Sequence, residues 1–130
     1  MSKTSLVKKL RIKSGDRVAV LHAPEGYLSM LVDMPEDVSV LETLDGRFDI
    51  VHAFYTKMET LDSDVGVLIP AMKEGGILWI SYPKGTAKKE TDLNRDIIWK
   101  YITPKGLKAV SMIAIDEVWS AMRLKVIELV

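Results

Sequence analysis

The feature that most constrains the fold is the largely apolar run RVAVLHA at positions 17–23, which follows the turn-like sequence KSGD. Its length is typical of a strand, and its apolar residues are consecutive instead of alternating with polar ones. Such runs are typical of strands in parallel sheets, because helices cover both faces of those sheets. The run therefore predicts an α/β fold with a buried first strand.

Strand-like and helix-like segments alternate along the rest of the chain. Further strands are predicted at residues 38–44, 48–55, 77–82, 107–115 and 121–130. Helices are predicted at residues 4–12, 25–34, 59–73 and 92–102. We expect the third helix to break near Pro70 and to end at the glycines of EGG, 74–76, and the fourth to be capped by Thr91 or Asp92.

This alternation, with right-handed crossovers, predicts a three-layer Rossmann-like domain around a mostly parallel sheet of about six strands. Only five residues, DEVWS at 116–120, join the last two predicted strands, which favours an antiparallel hairpin at one edge. The sequence shows no repeat or linker, so we expect a single domain over residues 1–130.

Composition narrows the classes of function. Lys and Arg total 18, as do Asp and Glu, and this balance argues against a generic nucleic-acid-binding protein. The chain has no cysteine, which excludes disulfides and thiolate metal sites. No apolar stretch is long enough to span a bilayer, and the amino terminus lacks a secretory signal. We therefore expect a cytoplasmic protein without a membrane partner.

Residues 48–83, FDIVHAFYTKMETLDSDVGVLIPAMKEGGILWISYP, resemble the second half of a class I S-adenosylmethionine-dependent methyltransferase. A closer resemblance is to a domain-of-unknown-function family of small prokaryotic proteins related to those enzymes. It is carried by APEGY (23–27), FDIV (48–51), GILWISYPKG (76–85), DLNRD (92–96) and DEVWSA (116–121). That family has no assigned reaction, so the resemblance implies a fold and not a mechanism.

The sequence departs from the methyltransferase pattern around the cofactor. The loop HAPEGY after the first strand has only Gly26 where those enzymes have two or three glycines, and Pro24 removes a donor N–H. Glu42, or the nearby Asp45, takes the place of the acidic residue that binds the ribose. Only DGR separates the second and third strands, so one strand–helix unit is missing. The resemblance thus leaves S-adenosylmethionine as a cofactor whose standard site is incomplete.

The first candidate ligand-binding residues lie in that loop. Ligands of open α/β sheets bind beyond the carboxyl ends of the strands, where the strand order switches. There Glu25 and Gly26, at a helix start, would bind an anion while Tyr27 stacks on the ligand. The alternative is that Pro24 and Glu25 simply begin a helix and Tyr27 packs at the edge of the core.

The second set of candidates is the loop PKGTAKKE with the helix that follows it. Lys84 and Gly85, with Arg95 and the lysines at 88 and 89, would clamp a phosphate or carboxylate. The P-loop spacing is absent. The alternative is a solvated charged loop in which Arg95 pairs with Asp92 or Glu90.

The third set is Asp116, Trp119 and Ser120 in the last loop. Carboxylates beside an exposed indole suit a cationic or planar ligand. Alternatively, Trp119 closes the core and Asp116 anchors the turn or an arginine.

His22 and His52 end neighbouring predicted strands. With Glu25 or Asp116 they would supply metal ligands or a general base, but no local metal-ligand spacing is present. We therefore assign no metal ligand and no catalytic residue, and interpret both as strand-end histidines.

Three functions remain open. The chain is a module, without assigned catalysis, that binds a small anionic ligand or a protein partner at this rim. Alternatively, it is a minimal S-adenosylmethionine-dependent methyltransferase. A third alternative is a structural protein that forms a homodimer through an edge strand, for which the apolar segment 121–130 is a candidate.

Overall fold

The computed structural model describes residues 5–87 and 89–127. Its strands are β1 Arg17–Leu21, β2 Ser39–Leu41, β3 Phe48–Phe54, β4 Met72–Pro83, β5 Leu107–Ala114 and β6 Trp119–Val126. Its helices are α1 Leu6–Lys9, α2 Met58–Leu68 and α3 Arg95–Ile102, with 3₁₀ turns at Leu28–Met30 and Thr103–Lys105. In this part of the chain, no helix has the length and apolar character that crossing a membrane requires.

The six strands form one sheet in the order β2-β1-β3-β4-β6-β5. The first four strands of the chain run parallel, whereas β6 is antiparallel to both β4 and β5. This confirms the predicted α/β fold, its mostly parallel sheet and its carboxyl-terminal hairpin. The segment 121–126 of β6 lies second from the edge, and β5 is the edge strand.

The core has two halves, one on each face of the sheet. In β3, Val51 and Ala53 pack on one face against α2 and α3, while Ile50 and Phe54 pack on the other. The second half is closed by α1, where the buried Trp79 indole donates a hydrogen bond of 3.1 Å to the Leu10 carbonyl. Burial on both faces explains why β1 and β3 read as nearly continuous apolar runs.

The prediction of a helix at residues 25–34 is wrong. This segment contains only the 3₁₀ turn Leu28–Met30. Gly26 has a φ of +86° and Asp33 a φ of +58°, and both values interrupt a right-handed helix. The apolar residues of the segment are at helical spacing, yet they pack on the core from an irregular loop.

The glycines expected to end the third helix lie instead inside β4. α2 ends at Leu68, ahead of Pro70, and β4 already begins at Met72. The pairing register between β3 and β4 shifts between Phe48 and Ile50, so the glycines lie in a β-bulge of β4. A Cβ on Gly76 would lie 2.9 Å from the Lys73 carbonyl oxygen, which explains why this position requires glycine.

The predicted cap of the last helix is also wrong, since α3 is capped by Asn94, whose Oδ1 accepts from the Ile97 N–H at 2.9 Å. Thr91 and Asp92 are occupied elsewhere. The Thr91 hydroxyl donates to the Thr56 carbonyl at 2.7 Å, and Asp92 Oδ1 accepts from the N–H of Met58 at 2.7 Å. Asp92 therefore caps α2 from a distant loop.

The second and third strands are connected as the sequence indicates. Only residues 42–47 lie between β2 and β3, with no strand or helix among them, and β2 is an edge of the sheet. The two strands do not pair with each other, because β1 lies between them. One strand–helix unit of the resembled enzymes is thus absent between these two strands.

Candidate functional site

Two clefts with charged and hydroxyl side chains lie at the carboxyl ends of the parallel strands. The first, here called the β4–α3 cleft, has a volume of about 340 Å³ and includes Lys84, Gly85, Arg95 and Ser120. The second, here called the β1–β3 cleft, has about 320 Å³ and includes His22, Tyr55, Thr60, Lys89 and Trp119. Both volumes are at the lower end of the range of small-molecule sites.

Strand pairing and one loop contact build the β4–α3 cleft. Ser120 of β6 lies opposite Tyr82 of β4, and the Lys84 N–H donates to the Val118 carbonyl at 2.7 Å. Arg95 is the first residue of α3, which the Asn94 cap holds in place. Four sequence candidates from three different segments therefore come together here.

The charges of this cleft are only weakly compensated. Arg95 Nε lies 3.4 Å from Asp96 Oδ1, and both side chains are 66% exposed, so this pair contributes little. The expected pairing of Arg95 with Asp92 or Glu90 is wrong, because Arg95 pairs with Asp96. Lys84 has no ion pair within residues 5–87 and 89–127. Burial raises the pKa of Tyr82, and the Arg95 cation partly opposes this rise.

Aromatic side chains form one wall of the β1–β3 cleft. Trp119 is only 6% exposed and packs edge-to-face on Phe54, with ring centroids 5.2 Å apart. Lys89 Nζ lies 5.7 Å from the centre of the Trp119 ring, within range of a cation–π contact. Asp116 Oδ1 accepts from the N–H groups of Val118 and Trp119, both at 2.8 Å. Trp119 thus belongs to the core, and Asp116 anchors its turn.

The candidates of the first loop line neither cleft. Tyr27 is 2% exposed, so its ring has no free face for stacking on a ligand, and burial raises the pKa of its hydroxyl. Glu25 and Gly26 are exposed, and no helix of more than three residues follows them. The geometry of Tyr27 corresponds to the core-packing alternative.

His52 is buried and links Tyr27 to β4. Tyr27 Oη lies 2.7 Å from His52 Nδ1, and His52 Nε2 lies 2.5 Å from Ser81 Oγ. Burial lowers the pKa of His52 from 6.5 to about 3, so its ring is neutral. This chain of three polar groups satisfies both ring nitrogens in the core. Over the described ranges, no three His, Cys, Asp or Glu side chains group as metal ligands.

His22 differs from His52, because its side chain is 49% exposed on the wall of the β1–β3 cleft. Its Nε2 lies 2.8 Å from Asp64 Oδ2, and the Tyr55 hydroxyl donates to the same oxygen at 2.6 Å. Asp64 and Tyr55 are not among the sequence candidates. The sequence nevertheless marks Asp64 as unusual, because this carboxylate lies on the apolar stripe of α2 with Leu61 and Val65.

Comparisons with known proteins identify the fold. No family model and no curated protein matches the chain. Solved structures do match. A SAM-dependent methyltransferase from Aquifex aeolicus is 14% identical with a TM-score of 0.61, covering 94% of this chain and 88% of that one. A SAM-dependent methyltransferase from Thiobacillus denitrificans, in complex with S-adenosyl-L-homocysteine, is 12% identical with a TM-score of 0.61. The match covers 93% of this chain and 89% of that one. Aeropyrum pernix fibrillarin, with natively bound S-adenosyl-L-methionine, is 14% identical with a TM-score of 0.63. The match covers 93% of this chain and 72% of that one.

The chain has a methyltransferase-like fold. At identities of 12–14%, these matches show the fold and not the activity. They confirm the resemblance stated from the sequence at the level of architecture. The cofactors belong to those neighbours and not to this chain.

Within this methyltransferase-like fold, the residues fit S-adenosylmethionine only in part. Glu42 directly follows β2 and is exposed, as a ribose-binding acid would be. It lines neither cleft, however, and the loop after β1 supplies no helix amino terminus for the cofactor. Nothing packs beyond β2 in the described sheet. These residues therefore do not form a complete site for that cofactor.

Proposed function

We propose that this protein binds a small anionic ligand, a phosphate ester or a carboxylate, in the β4–α3 cleft. The observation that carries this proposal is the convergence of Lys84 and Arg95 on one cleft that also holds the Ser120 hydroxyl. Guanidinium and ammonium groups are the strongest donors to oxyanions in proteins, and Arg offers a planar fork of donors. The single carboxylate in the cleft, that of Asp96, does not neutralise both cations.

The backbone around these cations is fixed before any ligand binds. The Lys84 N–H is bonded to Val118 in the β5–β6 loop, and the Asn94 cap sets where α3 begins. An exposed lysine loop without such contacts would lose more conformational entropy on binding. A fixed backbone beneath the two cations lowers the entropic cost of binding, which favours a binding site over an ordinary solvated surface.

The test is isothermal titration calorimetry with inorganic pyrophosphate as the probe. We expect saturable binding to the wild type and a loss of about tenfold in affinity for Lys84→Ala and for Arg95→Ala, since each substitution removes a charged hydrogen bond. Lys125→Ala is the matched control, because Lys125 is an exposed cation on β6 that lines neither cleft. Equal affinity in all three variants would place the anion elsewhere, and an absence of binding would refute the proposal.

S-adenosylmethionine-dependent methyl transfer is the second candidate. The fold and the position of Glu42 at the end of β2 favour it, whereas the incomplete loop after β1 opposes it. The test is a thermal-shift assay with S-adenosyl-L-homocysteine. A ligand at a hundredfold excess over its dissociation constant stabilises the native state by about 2.7 kcal/mol. A rise in melting temperature that Glu42→Ala removes would support this candidate, and no rise at millimolar concentration would reject it.

A further inference from the structure

The backbone at His22 is unusual for a residue that is not glycine. His22 directly follows β1 with a φ of +57°, a conformation that L side chains rarely adopt. The ring packs edge-on against Tyr55, with centroids 5.4 Å apart, and about half of the side chain is exposed on the β1–β3 cleft. Strained residues of this kind concentrate at functional sites.

The hydrogen bonds of His22 define which ring nitrogen holds the proton. Asp64 Oδ2 accepts from the Tyr55 hydroxyl and also contacts His22 Nε2 at 2.8 Å. A carboxylate with no proton of its own only accepts, so Nε2 carries the hydrogen in the neutral ring. Nδ1 is then unprotonated, and it has no hydrogen-bond partner within residues 5–87 and 89–127. A carboxylate that orients an imidazole in this way leaves the second nitrogen ready to take a proton.

The other side chains of the cleft indicate the class of substrate. Lys89 provides a cation, and Thr56 and Thr60 provide side-chain hydroxyls. Phe54 and Trp119 provide an aromatic wall. Together they suit a small substrate with a flat apolar part and a negative group, such as an aryl or alkenyl ester that also carries a carboxylate.

We propose that the β1–β3 cleft is a proton-transfer site in which His22 is the general base and Asp64 orients it. In ester hydrolysis, Nδ1 takes a proton from water, and the resulting hydroxide adds to the carbonyl carbon. The departing alkoxide then takes the proton back from Nδ1, so water and ester give acid and alcohol with no other reactant. Lys89 binds the negative group of the substrate. This cleft shares no lining residue with the β4–α3 cleft, so the proposal does not depend on anion binding there.

The experiment uses the hydrolysis of 4-nitrophenyl acetate, followed by the release of 4-nitrophenolate. His22→Asn is the main variant, because Asn tolerates a positive φ better than most residues and so preserves the backbone. We expect it to lower the rate by about 10²-fold, as for the loss of a general base. Asp64→Asn is expected to lower the rate as well, since the amide no longer fixes the tautomer. Asp62→Asn, on the same helix but bonded to Tyr101, is the matched control and should retain the wild-type rate.

Three further measurements separate the parts of the proposal. Diethyl pyrocarbonate should modify His22 and leave His52, which is 1% exposed, unmodified. Benzoate should inhibit hydrolysis by the wild type but not by Lys89→Ala. Equal rates for the wild type and His22→Asn, with matching melting curves, would overturn the role of His22. Undiminished benzoate inhibition in Lys89→Ala would overturn the role of Lys89. Pyrophosphate titration of His22→Asn distinguishes these failures from a failure of the β4–α3 cleft.

Discussion

Acidification should destabilise the native state through one buried side chain, His52. Both ring nitrogens contact buried hydroxyls, those of Tyr27 and Ser81, and burial lowers the pKa of the ring from 6.5 to about 3. Below pH 6.5 the unfolded chain therefore binds a proton that the native state does not bind. The contribution of His52 to stability is complete above the unfolded pKa and is lost as the pH falls toward the native pKa.

One unmatched proton changes the free energy of unfolding by about 1.4 kcal/mol per pH unit. Between pH 6.5 and pH 5, His52 should therefore remove about 2 kcal/mol of stability. This is a large share of the roughly 5–15 kcal/mol that stabilises a typical domain. The loss should continue until the native ring itself is protonated.

The assay is urea unfolding followed by circular dichroism across pH 5–7.5, for the wild type and for His52→Gln. Gln has no titrating group and can still hydrogen-bond to Ser81. The other titrating groups are common to both proteins, so the difference between their slopes isolates His52. We expect the wild type to lose stability more steeply below pH 6.5 than the variant. Parallel curves would refute the inference that His52 is held neutral in the core.

Two other substitutions test contacts that hold α2 and α1 in place. Asp92→Ala removes the acceptor for the Met58 N–H at the start of α2, and should cost about 1 kcal/mol of unfolding free energy, as the loss of a helix cap does; an unchanged urea midpoint would contradict this role. Trp79→Phe leaves the buried Leu10 carbonyl without its donor and opens space beneath α1. It should cost about 2–4 kcal/mol in the same assay, and a loss no larger than that of an exposed substitution would contradict the packing described.

The strands of the fold were predictable because their signal is local. β1 and β3 are buried on both faces, so their own residues report the burial. The irregular backbone at 25–34, where the sequence predicts a helix, was not predictable in the same way. Tyr27, Met30, Leu31 and Met34 have helical spacing and pack against one core cluster, yet the chain there is an irregular loop. Apolar periodicity reports which residues are buried, and tertiary packing decides the backbone between them.

The two clefts differ in how far the sequence could indicate them. Lys84 follows a predicted strand and Arg95 lies in the first turn of the next predicted helix, so topology alone brings them to one rim. His22 and Asp64 are 42 residues apart, and their contact depends on the φ of His22 and on where α2 packs. The sequence signal for this pair was the carboxylate on the apolar stripe of α2. A charged residue in such a position needs a partner, which only the folded chain identifies.

The central claim, anion binding in the β4–α3 cleft, is tested most directly by ¹H–¹⁵N NMR during titration with inorganic pyrophosphate. The account predicts saturable shifts at the amides of Lys84, Gly85, Arg95 and Ser120, and their disappearance in Arg95→Ala. Weak shifts scattered over exposed lysines in both proteins, or no shifts at all, would contradict it.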